Sequence, residues 1–440
     1  MAWRPGTGAL LASFLLLLLL TTAAPSADYG GGGGGEQLLP ITLRLQDGGE
    51  RVMVDSHGRQ RAFHGTNCVV KGPPWIPSRD GFDQFTSLTA RDFELMRSAG
   101  VNGIRLGVMW PGVEPERGQY NHSYLDIVAD IVDEAATYGI YVLADMHEDA
   151  LSERFCGEGI PEWASEPANS SAAFPLPLGP PYQNDPATGF PTRQDCANQS
   201  WTSYGGTEAL ASAYTRLYQN HDHLADSWGL QFAEVAKRLA AKPNLLGLEL
   251  LNEPWSPPIG EHPPNRANRE LLQPAYDIVA THIRAVAPEV LIFFSGAIGD
   301  RTGDPKIDAI PLGFDHPPGG DEHAAYSAIA FHSYFGQNLG SWPIPGLKAY
   351  YQTRIRDARN LSTGLLMTES GADIAPFAFC CCDASIAASF PRETTIVYPD
   401  RLGTDRRKRW NPAVACLPAW RIIMQEASSC SSTCGLSWRS

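Results

Sequence analysis

Short apolar runs rich in Leu, Ile, Val and Phe alternate along this chain with longer amphipathic stretches, and that alternation leaves few folds open. The runs lie at Ala62 to Val70, Val101 to Gly107, Ile140 to Met146, Leu245 to Leu251, Val290 to Ser295, Ser327 to Phe331 and Gly364 to Met367. Helical periodicity marks Ala90 to Ser98, Tyr124 to Tyr138, Leu210 to Ala241, Arg266 to Ala287 and Leu347 to Arg359. Repeated βα units build a parallel sheet, because each crossover helix covers a sheet face with its apolar stripe. Seven strands can be counted in the sequence, whereas a closed (β/α)8 barrel needs eight. The expectation is therefore an α/β, (β/α)8 TIM barrel over residues 37–376 whose last βα unit, due after Glu369, has no readable signal.

The flanks differ from this body. Arg4, the apolar run Leu10 to Leu20 and the small residues Ala23, Ala24, Ser26 and Ala27 have the layout of a secretory signal peptide over residues 1–27. The run is too short for a membrane span. Residues 28–36 carry six consecutive glycines, Gly30 to Gly35, and read as a flexible linker. Residues 377–440 form an atypical tail: from Ser389 onward eight Arg or Lys stand against four acids, without strand or helix periodicity. Between Cys156 and Thr207 the chain is rich in Pro, Gly and Asn, which predicts an ordered insertion too long for a plain βα loop.

A leader of this kind predicts the secretory pathway, with an extracellular or lysosome-like destination and an oxidising environment. Four Asn-x-Ser sequons, at Asn121, Asn169, Asn198 and Asn360, agree with that route. Nine cysteines leave at least one outside intrachain pairs. Cys156 and Cys196 bracket the insertion and are the candidate disulfide. The cysteines of the tail lack a zinc-type spacing, and no metal or cofactor is assigned.

The formal charge of −14 repels phosphate backbones and anionic surfaces, which excludes nucleic acid as a partner by bulk electrostatics. Neutral substrates fit better.

In a βα barrel chemistry is delivered where strands end. The polar residues after the apolar runs are Arg105, Asp145-Met146-His147-Glu148-Asp149, Asn252-Glu253-Pro254-Trp255, His332-Ser333-Tyr334 and Thr368-Glu369-Ser370-Gly371. Glu253 and Glu369 end separate strands and are expected to share one mouth. Glycoside hydrolysis needs such a carboxyl pair, one protonating the leaving oxygen while the other attacks or activates water. Read without its context, Asn252-Glu253-Pro254 is also a helix start with Asn252 as cap, Glu369 a surface acid, and Arg105 the partner of a core acid. His221 and His223 read as a solvated polar helix face.

The chain resembles glycoside hydrolase family 5, in particular its endoglycoceramidase branch. The resemblance rests on Phe63-His64-Gly65-Thr66-Asn67 with Lys71, Ile104-Arg105-Leu106, Asp145 to Asp149, Ser152 to Pro161, Asn252-Glu253-Pro254 and Glu369. It implies that Glu253 is the general acid/base, which requires a raised pKa, and Glu369 the nucleophile of a retaining double displacement. Arg105 and Tyr334 would hydrogen-bond Glu369, Asn252 the sugar 2-hydroxyl, and His147 and His332 would line the sugar subsite, with Lys71 and Asp149 near further hydroxyls. Trp163, Trp201, Trp255 and Phe335 are candidates for sugar stacking or lipid contact.

The implied substrate is a glycolipid or oligosaccharide, most specifically the β-bond between glycan and ceramide in glycosphingolipids, with transient contact to lipid assemblies. Members of the family carry an eighth strand and, in this branch, a C-terminal β-sandwich, neither of which is readable here. The alternatives are a β-glucanase or steryl-glucosidase of the same family, or an inactive glycan- or lipid-binding or truncated product. Oligomeric state is not indicated by the sequence.

Overall fold

The structure, a computed structural model, describes residues 38–83, 86–257, 264–297, 310–335 and 344–372. The expected leader, glycine linker, basic tail and eighth βα unit fall outside them. Seven strands form one sheet in sequential order: β3 Gly65–Cys68, β4 Gly103–Gly107, β5 Tyr141–Asp145, β6 Leu245–Glu249, β7 Ile292–Phe294, β8 Ser327–Phe335 and β9 Gly364–Ala372. Every neighbouring pair in this sheet is parallel. Each expected strand is present, with β8 and β9 running four to five residues beyond the apolar signal.

The two faces of the sheet are covered differently, as the period of two along each strand requires. Ile104, Leu106, Val142, Ala144, Leu248, Ile292, Phe294 and Ile329 pack outward against helices. Prominent among these helices are α1 Ala90–Ser98, α2 His122–Thr137, α3 Glu208–Tyr218, α4 Leu224–Leu239 and α5 Gln273–Val286. A last helix, α6 Ile344–Asn360, leads into β9. Tyr141, Leu143, Leu246, Leu291, Phe293, Ala328 and Ala330 face inward and form a second, interior core.

An antiparallel hairpin, β1 Ile41–Leu45 with β2 Arg51–Asp55, closes the lower end of that interior. Ile41, Leu43 and Met53 insert into the interior core, while Arg51 N donates to Thr363 O at 2.8 Å and its Nε to Ser362 O at 2.7 Å. The sequence reading passed over this hairpin, although Ile41-Thr42-Leu43-Arg44-Leu45 alternates and Asp47-Gly48-Gly49 is a turn signal.

Two helix assignments need correction. The single helix expected from Leu210 to Ala241 is broken into α3 and α4, because Asn220, Asp222 and His223 adopt positive φ. His221 and His223 therefore sit on the exposed elbow rather than on a helix face. The helix expected from Arg266 starts at Pro264 and passes through a wide π turn, Asn268–Leu272, before α5. Pro274 has no N–H for an i−4 bond, and the wide turn lies directly before it.

The insertion is ordered around its own small core. Phe174 meets Phe155, Tyr182 and Tyr204 with ring centroids 5.6, 5.8 and 5.1 Å apart, and Cys156 is disulfide-bonded to Cys196. Cys68 in β3 has no disulfide partner among the described residues; burial, helped by the nearby Asp92 charge, pushes its thiol up to about 12. Among the described residues no helix is long and apolar enough to cross a membrane.

Candidate active site

Above the interior core the sheet changes from apolar to charged. Arg105 on β4 is buried and reaches four residues on or just after three other strands. Its Nε donates to Glu249 Oε2 at 2.7 Å, Nη1 to Glu369 Oε2 at 3.1 Å and Nη2 to Asn252 Oδ1 at 2.9 Å. Nη2 also lies 3.0 Å from Asp145 Oδ1. Burial alone would lower the guanidinium, but the carboxylates of Asp145, Glu249 and Glu369 outweigh it and hold it well above its ordinary value. Burial pushes the Glu249 carboxyl up, against the pull of Arg105.

Glu369 on β9 receives a second donor from the opposite edge of the sheet: Asn67 Nδ2 on β3, at 2.9 Å. A hydrogen bond between the first and last strands shows how far the sheet has curled. Just below it a small cavity opens between these strands, lined by Phe63, Gly65, Asn67, Arg105, Leu366 and Thr368.

Glu253 stands four residues after β6, at a backbone φ of +38°. No helix follows it before Pro264 among the described residues, so Asn252 is not a helix cap. His332 Nδ1 lies 2.8 Å from Glu253 Oε1, and the His332 backbone is held by Tyr350 Oη donating to its carbonyl at 3.0 Å. His332 Nε2 is buried without a hydrogen-bond partner among the described residues. A carboxylate oxygen of Glu253, a ring nitrogen of His332 and a carboxylate oxygen of Glu369 all lie within 4.8 Å of one another. That spacing suits a metal on distance alone, but Arg105 already places a cation beside Glu369, where like charge would oppose a metal ion.

His147 bonds Asp145 through Nδ1 at 2.8 Å and lies 3.7 Å from Asp149 through Nε2. Burial would lower this imidazole, but the bond and charge of Asp145, joined by those of Asp149, push it up to about 9. Asn252 Nδ2 donates to Glu148 O at 3.0 Å, so its amide is fixed at both ends. Lys71 pairs with Asp149 and with Glu158, the latter at 3.2 Å.

The expected site residues Arg105, His147, Asn252, Glu253, His332 and Glu369 are thus brought together, with Lys71 and Asp149 next to them. Tyr334 continues β8 beyond His332, and its side chain lies outside the described residues, as do those of Trp201 and Phe335. Two aromatic candidates are engaged in packing. Trp255 lies against Gly205, where an added Cβ would meet its ring at 2.0 Å, and Trp163 stands edge-on to Trp110 with centroids 5.5 Å apart. The sequence reading quotes Asn67 and Asp145 in its motifs without giving them a role, and it does not name Glu249. The sequence signal was their position at or near strand ends; Asn67 and Asp145 are also in phase with the inward-facing Phe63 and Leu143.

The sequence model of cellulase, glycosyl hydrolase family 5, matches residues 54–373. The chain belongs to this family. Among curated relatives, an endoglycoceramidase of Cyanea nozakii is 39% identical over 321 residues, covering 72% of this chain and 61% of the relative. An endoglycoceramidase of Hydra vulgaris is 38% identical over 324 residues, covering 72% and 59%. The chain thus spans about three fifths of the length of these relatives. The solved structure of endo-glycoceramidase II from Rhodococcus sp. shares the fold, with a TM-score of 0.55 at 23% identity over 71% of this chain and 66% of that one. With seven sequential parallel strands curled around an interior core, the fold is the family 5 (β/α)8 barrel.

Proposed function

We propose that this chain is a retaining glycosidase that hydrolyses the β-bond between glycan and ceramide in glycosphingolipids. The observation that carries the chemistry is the closeness of Glu253 and Glu369, one oxygen of each lying within 4.8 Å of the other. Retaining hydrolysis works at carboxyl separations of about 5 to 5.5 Å, whereas inversion needs about 6.5 to 9.5 Å to admit a water molecule. The lipid part of the reading is supported by the two endoglycoceramidases at 38 and 39% identity.

In the first step the Glu369 carboxylate attacks the anomeric carbon while Glu253 gives its proton to the departing oxygen, so that ceramide leaves as a free alcohol. In the second, Glu253 takes a proton from water, the water oxygen attacks the anomeric carbon, and Glu369 is released as carboxylate. Arg105 and Asn67 each donate to Oε2 of Glu369, which holds that oxygen and leaves Oε1 for the attack. His332 orients Glu253, and its unpartnered Nε2 suits a sugar hydroxyl. Ceramide enters from a lipid assembly, so transient contact with such a surface belongs to this reading.

The same reading places the protein in the secretory pathway. Its support is the leader-like N-terminus, a disulfide within the fold and four sequon asparagines that are all exposed. Asn121 accepts from Tyr124 N through its side-chain oxygen, which leaves the amide nitrogen available to a glycan.

The test is incubation of the secreted protein with a fluorescent glycosylceramide, measuring ceramide and intact glycan separately and following the anomer first formed. Release of both with retained configuration is expected. Glu253→Gln should lower kcat/KM on glycosylceramide by about 10² to 10⁴ and far less on an aryl glycoside whose leaving group needs no proton, because that ratio reports the first step. Cleavage of cello-oligosaccharides with glycosylceramide untouched would overturn the ceramide assignment, and inversion would overturn the roles of both glutamates.

A further inference from the structure

Beside the carboxyl pair lies a second constellation whose central acid the proposed chemistry does not use. Lys71, after β3, faces two acids rather than one: the buried Asp149, after β5, and the half-buried Glu158, in the disulfide-closed insertion. We propose that Glu158 is a specificity-determining residue of the glycan-binding half of the cleft, presenting its carboxyl group to a sugar hydroxyl beside Lys71 and Asp149. The proposal rests on the glycosidase reading above and extends it to a residue outside the reacting pair.

The backbone fixes Glu158 tightly. Asp149 N donates to Glu158 O at 3.0 Å and Glu158 N to Asp149 O at 2.9 Å, a two-way bridge between the loop after β5 and the insertion. On either side of it the chain has no room for a side chain. A Cβ on Gly157 would stand 1.9 Å from Asp149 O, and one on Gly159, where φ is +110°, would stand 2.2 Å from His147 O. Cys156, immediately before, is anchored to Cys196. The loop that carries Glu158 is therefore clamped onto the same His147 to Asp149 segment that meets Asn252 and Arg105.

The side chains of Lys71, Asp149 and Glu158 keep exposed fractions of 17, 11 and 13%, enough to meet a hydroxyl while staying ordered. Glu158 Oε1 is buried and makes no aligned hydrogen bond, although it lies 3.2 Å from Lys71 Nζ. One lysine charge cannot serve two carboxylates equally. Burial would raise the Asp149 carboxyl, but Lys71 and then His147 hold it far below the usual range. Burial pushes Glu158 up to about 8; the Lys71 charge opposes this, the Asp149 carboxylate adds to it, and His147 opposes. A carboxyl that keeps its proton offers one donor and one acceptor, the complement of a sugar hydroxyl. Once ionised it only accepts, and it competes with Asp149 for Lys71.

The test reads binding, so that it does not depend on turnover. Methyl β-lactoside is titrated calorimetrically into the full chain and into Glu158→Gln and Glu158→Ala between pH 5.5 and 9. Wild type should bind steadily up to about pH 7 and lose affinity as pH rises through about 8. Glu158→Gln, which keeps a neutral donor and acceptor, should retain the affinity and lose that fall. Glu158→Ala should bind about tenfold more weakly at every pH, the loss of one buried hydrogen bond. A fall through about pH 8 that persists in Glu158→Gln takes the titration away from Glu158 and overturns the proposal, as does unchanged binding by Glu158→Ala. If Glu158→Ala does not fold, the Glu158→Gln profile decides alone. Absence of lactoside binding by wild type at any pH would remove the glycan reading itself, an outcome distinct from wild-type binding that ignores residue 158.

Discussion

Thr368 and Glu369 are neighbours in sequence, yet both turn into the barrel. Thr368 Oγ1 donates to Glu249 Oε1 at 3.1 Å, and Glu369 Oε2 accepts from Arg105 and Asn67. Strict alternation would send one of them outward. The pairing of β8 with β9 shows how this is avoided: Phe331 stands opposite Met367 and His332 opposite Glu369, so Thr368 is an extra residue on its strand. A bulge at this point re-aims the carboxylate. The same device recurs on β6, where the register with β5 shifts between Val142 and Leu143. Leu246 there belongs to the interior core and Glu249, three residues later, also points inward.

The bulge predicts a specific effect of removing the Thr368 hydroxyl. Thr368→Val keeps the shape but leaves a buried Glu249 oxygen without its donor, which should lower stability by about 1 to 3 kcal/mol. Because Glu249 holds Arg105 and Arg105 holds Glu369, kcat should fall several-fold while KM stays near the wild-type value. Urea unfolding and steady-state kinetics read the two effects. An unchanged melt would show that Thr368 serves only as the extra residue of the bulge.

Arg105 is expected to be the most sensitive position outside the reacting pair. Arg105→Met leaves Asp145, Glu249 and Glu369 buried without their shared cation, and removing one partner of a buried ion pair costs about 3 to 5 kcal/mol. Arg105→Lys keeps the charge but cannot place planar donors on Glu249, Glu369 and Asn252 together. It should fold better than Arg105→Met and still lose most activity. Equal activity in the lysine variant would mean that charge alone, not the fork of donors, positions Glu369.

The Cys156–Cys196 bond closes a loop with a sequence separation of 40, which corresponds to a loss of about 4 kcal/mol of unfolded-state entropy. Cys156→Ser with Cys196→Ser should therefore melt earlier by a comparable free energy, and wild type treated with reductant should approach the same curve. The aromatic cluster of Phe155, Phe174, Tyr182 and Tyr204 remains, so cooperative unfolding should persist. A melt indifferent to reductant would show that this cluster alone holds the insertion.

The fold was legible from the sequence wherever one physical signal dominated. Seven apolar runs fell on the seven sheet strands because a strand buried on both faces must be apolar throughout. The β1–β2 hairpin went unread because its signal is only five residues per strand and its burial comes from a distant barrel floor. The break at Asn220 to His223 was hidden because polar residues suit both a helix surface and an elbow, and only their positive φ separates the two. In the site, Arg105, Glu253 and Glu369 stood out by chemistry. Asn67 and Glu249 did not, since a buried asparagine and a buried glutamate take their meaning from Arg105 and Glu369 on other strands.

Stability should decline as the pH rises from near neutral to alkaline. His147 is raised to about 9 in the folded chain, against about 6.5 when unfolded. Its contribution is therefore fully present below about 6.5 and is lost as the pH climbs through 9. Glu158 acts in the same direction: it is raised to about 8 from about 4.3, so the folded state binds the extra proton and gives up that advantage between these values. Asp149 is held low, so its favourable contribution is present above its unfolded pKa and disappears only in strong acid. Urea midpoints at pH 6, 7.5 and 9 should fall in that order. Glu158→Gln should remove the part of the decline below pH 8, and His147→Gln the part between 7.5 and 9. A midpoint that rises toward pH 9 would show that the charges around Lys71 and Asp145 are balanced differently from the geometry described here.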